Sequence, residues 1–259
     1  MKKVAIAHLK GGVGKTTTAV VLARLSAADG YRTLLLDLDA QGSAAYILRV
    51  DAADTATAKS VVRGKKSLKD YIASTGFPHL DILPGAFSFR KLPQVLAARN
   101  DDDNPFQTVF KRLGKGYDLL IIDAPAGLTY ESEAILKAVD LVVAPVVPTP
   151  LSVQSFSTLR TFVAEKTSGK KRGPTPLAGF YAMVDRRRKL HRETVDGAHS
   201  ADPSAGTAAA IWPVAIPNSS AVERMSTERL PLSELRRPGP ALPAYRLLWT
   251  HLKEVLTLP

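Results

Sequence analysis

The sequence predicts an α/β fold, a mostly parallel, twisted sheet with helices on both faces. Three observations predict it. Apolar runs of strand length alternate with stretches of helix length along the 259 residues. A glycine-rich loop, His8-Leu9-Lys10-Gly11-Gly12-Val13-Gly14-Lys15-Thr16-Thr17, stands between the first apolar run and the first helical stretch. Two later apolar runs, Thr33 to Leu36 and Leu119 to Ile122, lead into acids, at the strand ends where open sheets of this kind bind ligands.

The elements follow in order. A strand over Lys3–Ala7 leads through the glycine loop into a helix over Lys15–Ala28, and Gly30 turns the chain into a strand over Thr33–Asp37. A short strand at Leu80–Leu83 precedes helices at Phe87–Ala98 and Asn104–Leu113. Between those helices the acidic run Asp101-Asp102-Asp103-Asn104 reads as a solvated cap before Phe106. After Gly116 come a strand at Leu119–Asp123, a helix at Tyr130–Val139 and a strand at Leu141–Val146. Pro148-Thr149-Pro150 then reads as a connection to a helix at Val153–Glu165, and Lys166 to Pro176, rich in Gly, Lys, Arg and Pro, as a mobile surface loop. A strand at Leu177–Val184, a helix at Leu190–Ala198, a strand at Trp212–Ile216 and a helix at Ala244–Leu256 complete the chain.

Composition narrows the function classes. A chain with 45% hydrophobic residues is sized for one good core, so residues 1–259 are expected to form a single domain. No run of about 18 apolar residues offers a membrane span, and the N-terminus enters the first strand directly, leaving no room for a signal peptide. A cytoplasmic location is expected. The absence of cysteine excludes disulfides, thiolate zinc sites and cysteine-ligated iron–sulfur clusters. The net charge of +11 implies attraction to polyanions, either nucleic acid or an anionic membrane face. From Arg160 to Arg192 ten basic residues face two acids, Glu165 and Asp185, so this segment carries most of the excess.

The glycine loop carries the most specific chemistry. Glycines let the backbone curl and aim N–H groups inward, Lys15 reaches β- and γ-phosphates, and the Thr16 hydroxyl holds Mg²⁺. The following helix presents its positive end to the same phosphates. These features define a phosphate loop of the P-loop NTPase fold, with Lys10, Gly11, Gly12, Val13, Gly14, Lys15, Thr16 and Thr17 as its nucleotide-binding residues. The loop departs from the usual Walker A pattern, because Leu9 stands where a glycine is expected and a second lysine, Lys10, lies inside the loop. Asp123 ends an apolar strand in the manner of a Walker B acid and supports Mg²⁺ together with Thr16.

This K-G-G-x-G-K-T variant resembles the ParA/MinD family of deviant Walker A ATPases. Two further blocks fit the resemblance: Asp37-Leu38-Asp39-Ala40-Gln41 is similar to the family's D-x-D-P-Q, with Ala40 for proline, and Asp123-Ala124-Pro125-Ala126 to its D-x-P-P, with Ala126 for the second proline. Looser matches are Pro145 to Pro150, Ala182 to Arg187 and Val214 to Asn218, the last two bringing Met183 and Pro217 to the adenine by resemblance. The resemblance implies ATP and Mg²⁺ as cofactors. It gives Asp39 the task of orienting the attacking water, while Asp37 reads as a buried acid satisfied by nearby backbone groups. By resemblance Lys10 reaches across a two-fold interface to a partner's phosphates, making ATP part of a homodimer. The catalytic set is therefore Lys10, Lys15 and Asp39.

The basic segment has two readings, a solvated face or a DNA face. Arg187 aligns with the arginine of the family's D-x-R that contacts DNA phosphates, and Arg186, Arg188, Lys189 and Arg192 surround it. A second family arginine falls on Ala221 and is missing, with Arg224 three residues on as its substitute. No aromatic residues interleave the cluster, so binding is expected to be electrostatic and independent of sequence. The resemblance implies an ATPase that dimerises on ATP, binds nonspecific DNA on the nucleoid, and hydrolyses slowly until a ParB-like or cargo-adaptor protein stimulates it. That cycle partitions or positions DNA or a large cargo. The alternatives are a MinD-like membrane-associated positioning ATPase and an ATP-switched DNA-binding regulator or scaffold. For the first, Tyr245 to Leu256 is amphipathic but carries only Arg246 and Lys253 as basic residues, so core packing accounts for it better and no stable membrane association is expected.

Overall fold

The computed structural model describes residues 1–39, 41–50, 68–84, 104–168, 173–199 and 209–258. Strands β1 (Lys2–Ile6), β2 (Thr33–Asp37), β3 (Ala73–Ser74), β4 (Leu80–Leu83), β5 (Leu119–Asp123), β6 (Leu141–Val146), β7 (Leu177–Val184) and β8 (Ala209–Pro217) form one sheet, in the order β3-β4-β2-β5-β1-β6-β7-β8. The pairings are parallel except at the edge, where β3 runs antiparallel to β4. All the long strands thus release their C-terminal loops at the same end. β1 lies at the centre, with β2 and β4 to one side and β6, β7 and β8 to the other, a topological switch of the kind that opens a ligand crevice.

The helices are α1 (Lys15–Ala28), α2 (Ser43–Ile47), α3 (Pro105–Leu113), α4 (Tyr130–Ala138), α5 (Pro150–Thr167), α6 (Lys189–His199), α7 (Ser220–Glu228) and α8 (Ala241–Leu256). Alternate strand residues feed two cores, one on each face. Val4, Ile6 and Leu35 pack with α1, α2, α7 and α8, while Ala5, Leu34 and Leu36 pack with α3, α4, α5 and Val195 of α6. Burial on both faces is why these strands read as continuous apolar runs.

Several bounds match the sequence reading to the residue: α1, β2, β4, β5, β6 and β7. Others shift for local reasons. The fifth helix starts at Pro150 rather than Val153, because proline at the first helical position loses no hydrogen bond and its fixed φ suits a helix. Asn104 caps α3 by accepting from the Phe106 amide, as the cap reading requires, while Asp101–Asp103 and the helix expected at Phe87–Ala98 lie outside the described residues. The loop expected from Lys166 begins two residues later, and its flanks are fixed: the buried Thr175 amide donates to the Thr167 hydroxyl at 2.7 Å. The structure adds β3, α2 and α7, which the sequence reading lacks.

Helix α8 is a core helix. It buries Ala241, Leu242, Tyr245, Leu248, Trp249, Leu252 and Leu256, leaving Leu247 and Val255 exposed. At one end Trp249 Nε1 and Lys253 Nζ donate to Asp29, at 2.8 and 2.7 Å, and lock α8 to the C-terminus of α1. At the other, the Tyr245 hydroxyl lies 3.4 Å from Thr18 Oγ1, which donates to the Gly14 carbonyl at 2.8 Å. Among the described residues no helix is long and apolar enough to cross a membrane.

Candidate nucleotide site and basic loop

The loop between β1 and α1 owes its shape to glycine. Gly12 and Gly14 adopt φ of 73° and 95°, the left-handed region where a side chain is strained. A Cβ added at Gly11, Gly12 or Gly14 would meet nothing within 4 Å, so these glycines border open space rather than packed protein. Gly14 is also the N-cap of α1 and offers no side chain, leaving the amides of the first turn open to an anion. Val13 is buried beneath the loop, while Thr16 and Thr17 are half-buried.

Lys15 is 8% exposed, and its ammonium donates to the Lys10 carbonyl at 3.1 Å. Burial pushes its pKa down, against the opposing pull of Asp123 and Asp39. Lys10 is held differently. Its amide donates to His8 Nδ1 at 3.1 Å and its carbonyl accepts from Lys15, yet among the described residues its ammonium has no hydrogen-bond or ion-pair partner. His8 is the anchor beneath. It is 2% exposed, and burial together with Lys15 pushes its pKa down to about 4, so it stays neutral and keeps Nδ1 available as the acceptor.

The acids stand on neighbouring strands in register. Ile6 and Asp37 both pair with Asp123. Asp37 is fully buried and satisfied by backbone: Oδ1 accepts from the Asp39 amide and Oδ2 from the Ala44 amide, each at 3.1 Å. It fixes the turn that carries Asp39, and burial raises its pKa to about 6. Asp39 is half-buried, with Oδ1 accepting from Gln41 at 3.1 Å; Ala40 lies outside the described residues. Asp123 differs from both. It is fully buried, neither carboxylate oxygen has a hydrogen-bond partner among the described residues, and burial, reinforced by Asp37, pushes its pKa up to about 7. The Thr16 hydroxyl is near enough to favour the ionised form but does not reach hydrogen-bond geometry with either oxygen.

Two unpartnered buried carboxylate oxygens beside a threonine hydroxyl fit a hard cation such as Mg²⁺. Among the described residues no cluster of three or more acids or imidazoles could hold a metal alone. A bound Mg²⁺ would therefore take its remaining oxygens from water and phosphate, which is its habit at nucleotide sites.

The other expected contacts lie at the same end of the sheet. Met183, at the end of β7, is 39% exposed with φ of 56°, and Pro217 pairs with Val184 at the end of β8. Two residues beyond Met183 the basic loop begins, and it is an ordered turn. The Arg188 amide donates to the Asp185 carbonyl at 3.0 Å, and Arg192 reaches back from α6 to the carbonyls of Arg186 and Arg187, at 2.7 and 3.2 Å. Arg186, Arg187, Arg188 and Lys189 are all exposed. Lys189 lies 3.6 Å from Glu193, and Arg187 is paired with Asp185. Arg224 of α7 is committed elsewhere, donating to the Arg237 carbonyl and lying 3.5 Å from Glu228.

Comparison with known proteins decides the family. The AAA domain family matches residues 1–172. The chain belongs to the ParA/MinD family of ATPases. The chromosome-partitioning ATPase Soj of Treponema pallidum is 27% identical over 194 residues, covering 75% of this chain and 76% of that protein. A putative replication protein A of Sinorhizobium fredii is 31% identical over 170 residues, 60% of this chain, so the match spans 42% of that relative's length. Among solved structures, an ATP complex of a Cyanothece McdA variant superposes with a TM-score of 0.76 at 21% identity, covering 100% of this chain and 97% of that one. The septum site-determining protein MinD of Pyrococcus horikoshii, bound to Mg-ADP, superposes at 0.71 and 20% identity, covering 98% and 97%. At these identities the two structures show a shared fold.

Sequence reasoning assigned no role to three residues that shape the site. In the sequence His8 is one residue of the loop's string, Asp185 the acid of the D-x-R block, and Arg192 one of the charges around Arg187. Each acts through contacts made by the fold, and the signals in the sequence are the place of Asp185 in the D-x-R block and its isolation among ten basic residues between Arg160 and Arg192.

Proposed function

We propose that this chain is a Mg²⁺-dependent ATPase that dimerises around ATP, binds DNA without sequence preference as the dimer, and hydrolyses ATP slowly until a partner protein stimulates it. The observation that carries this reading is Lys10: its backbone is fixed on both sides, while among the described residues its ammonium is left without a partner beside an open phosphate loop. A lysine held in that way suits phosphates that arrive with a second copy of the chain.

The loop amides and Lys15 bind the phosphates, with charge-assisted hydrogen bonds in a largely buried setting. Thr16 and Asp123 hold Mg²⁺, which when bound neutralises phosphate charge. Met183 and Pro217 flank the adenine. Asp39, on a turn fixed by Asp37, accepts a hydrogen bond from the attacking water and aligns it; phosphoryl transfer needs such positioning more than covalent help. The ordered loop from Arg186 to Lys189 grips DNA phosphates, with Arg224 adding only to the field, and nothing there is built to read bases. Through this cycle a DNA locus or large cargo is partitioned or positioned by a nucleoid-bound cytoplasmic protein. The apolar face of α8 is spent on the core, which favours DNA over a membrane as the surface used.

Light scattering tests the dimer. With ADP the protein should be a monomer, and with a slowly hydrolysed ATP analogue and Mg²⁺ a dimer. A monomer in both states would overturn the reading.

A further inference from the structure

The contact between Asp185 and Arg187 is the most fully formed ion pair on the basic loop. Asp185 Oδ1 accepts from both the backbone amide and Nε of Arg187, at 3.0 and 2.9 Å, and Oδ2 accepts from a terminal nitrogen at 2.9 Å. The pair is asymmetric. The Asp185 side chain is 20% exposed, and its own amide donates to the buried His191 at 3.1 Å, whereas the Arg187 side chain is 89% exposed and folds over it from solvent. The carboxylate is the fixed partner and the guanidinium the movable one.

We propose that Asp185 restrains Arg187 from phosphate, so that the loop meets DNA with its aligned arginine already paired and a phosphate must displace the carboxylate to take its side-on fork. This rests on the reading of the loop as a DNA face. The bidentate contact occupies the Nε–Nη2 edge of the guanidinium, so a phosphate taken side-on competes with the carboxylate for that fork, and one taken end-on meets an arginine whose charge Asp185 already offsets. An exposed pair is weak enough for phosphate to win, but the exchange gains little. The Asp185 charge stays beside Arg187 when phosphate takes the fork, so the pair brings no net positive charge to the DNA. Arg187 then contributes almost nothing to the salt dependence of binding, whereas an unpaired cation contributes about −0.9 to the log–log slope. The loop's shape does not depend on the pair, because Arg192 and the Arg188 amide hold its backbone independently.

Asp185→Asn keeps Oδ1 as the acceptor for the Arg187 amide and removes the charge that clamps the guanidinium. Electrophoretic shifts with duplex DNA across a salt series, in the presence of a slowly hydrolysed ATP analogue, should show tighter binding by about two- to fivefold per loop, the scale of an exposed ion pair. The slope should steepen by about 0.9 per loop. Glu193→Gln makes the same charge change against the longer Lys189 contact and gives the bulk effect, which Asp185→Asn should exceed. Arg187→Lys, which conserves charge but loses the fork to carboxylate and phosphate alike, should leave binding no more sensitive to Asp185→Asn than to Glu193→Gln. Weaker binding by Asp185→Asn would show that Asp185 aims Arg187 at phosphate instead, and a gain equal to that of Glu193→Gln would leave only net charge; either overturns the inference while the DNA reading stands. Failure of wild type and all three variants to bind DNA in any nucleotide state would overturn the DNA reading itself.

Discussion

Replacing Asp123 by Asn should make the empty protein more stable and the Mg²⁺-nucleotide complex weaker. The carboxyl is fully buried, neither oxygen is hydrogen-bonded among the described residues, and its pKa rises from the usual 3.8 to about 7. Each pKa unit corresponds to about 1.4 kcal/mol, so ionised Asp123 costs the folded state about 4 kcal/mol above pH 7. The sign follows from linkage, since a folded pKa above the unfolded one means the folded state holds its proton longer. The penalty is absent below about pH 4, grows as pH rises, and is complete above about pH 7. Asparagine removes the charge but leaves amide hydrogens without acceptors, at about 1–3 kcal/mol. A net gain of about 1–3 kcal/mol remains at pH 8 and shrinks to about nothing at pH 5. At this chain length that amounts to roughly 2–10 °C in Tm. Thermal melts at pH 5 and pH 8, with and without Mg²⁺ and ADP, give the answer. Wild type should gain strongly from Mg²⁺ added to ADP and the variant should not. A variant that melts below wild type at pH 8, or one that keeps the full Mg²⁺ response, would refute the reasoning.

Other outcomes follow from the same geometry. Lys15→Ala should abolish nucleotide binding, whereas Lys10→Ala should bind ADP normally and stay monomeric with an ATP analogue; calorimetry and light scattering separate the two. Asp39→Ala should lower turnover by roughly 10²-fold or more with ATP affinity largely intact, as expected for a lost positioning group, and near wild-type turnover would remove Asp39 from the mechanism. Arg187→Glu should eliminate DNA binding and any DNA-stimulated hydrolysis while ATP-dependent dimerisation persists, because its charge lies on the basic loop and not among the phosphate-binding groups.

The central strands were legible because they are buried on both faces. Leu119-Leu120-Ile121-Ile122 has no solvent face to confuse its period, and its bounds match to the residue. The phosphate loop was legible because its chemistry is local: glycines at positive φ, a lysine and a threonine, in consecutive order. α7 was not, since its start depends on one cap, Ser219 accepting from the Ala221 amide at 3.3 Å, and only Ala221 and Met225 are buried. α2 spans five residues, too few for a helical period to show. In the site, the sequence reading placed Asp37 as a buried acid satisfied by backbone, and the amides of Asp39 and Ala44 supply that satisfaction. The sequence reading also sets Asp123 apart as the acid for Mg²⁺, but that its buried oxygens lack hydrogen-bond partners among the described residues arises from three strands meeting in register, which a single run does not display. Nor could it foresee that Arg187 is clamped by Asp185, two residues away, since a charge run shows composition and not pairing.

The measurement that bears most directly on the central claim is DNA binding compared across nucleotide states. Duplexes of shuffled sequence, titrated with the protein and Mg²⁺ plus either ADP or a slowly hydrolysed ATP analogue, should shift only with the analogue. They should bind with equal affinity whatever their sequence, and should release steeply as salt rises. Equal binding with ADP and the ATP analogue, or no binding with either at low salt, would contradict the account.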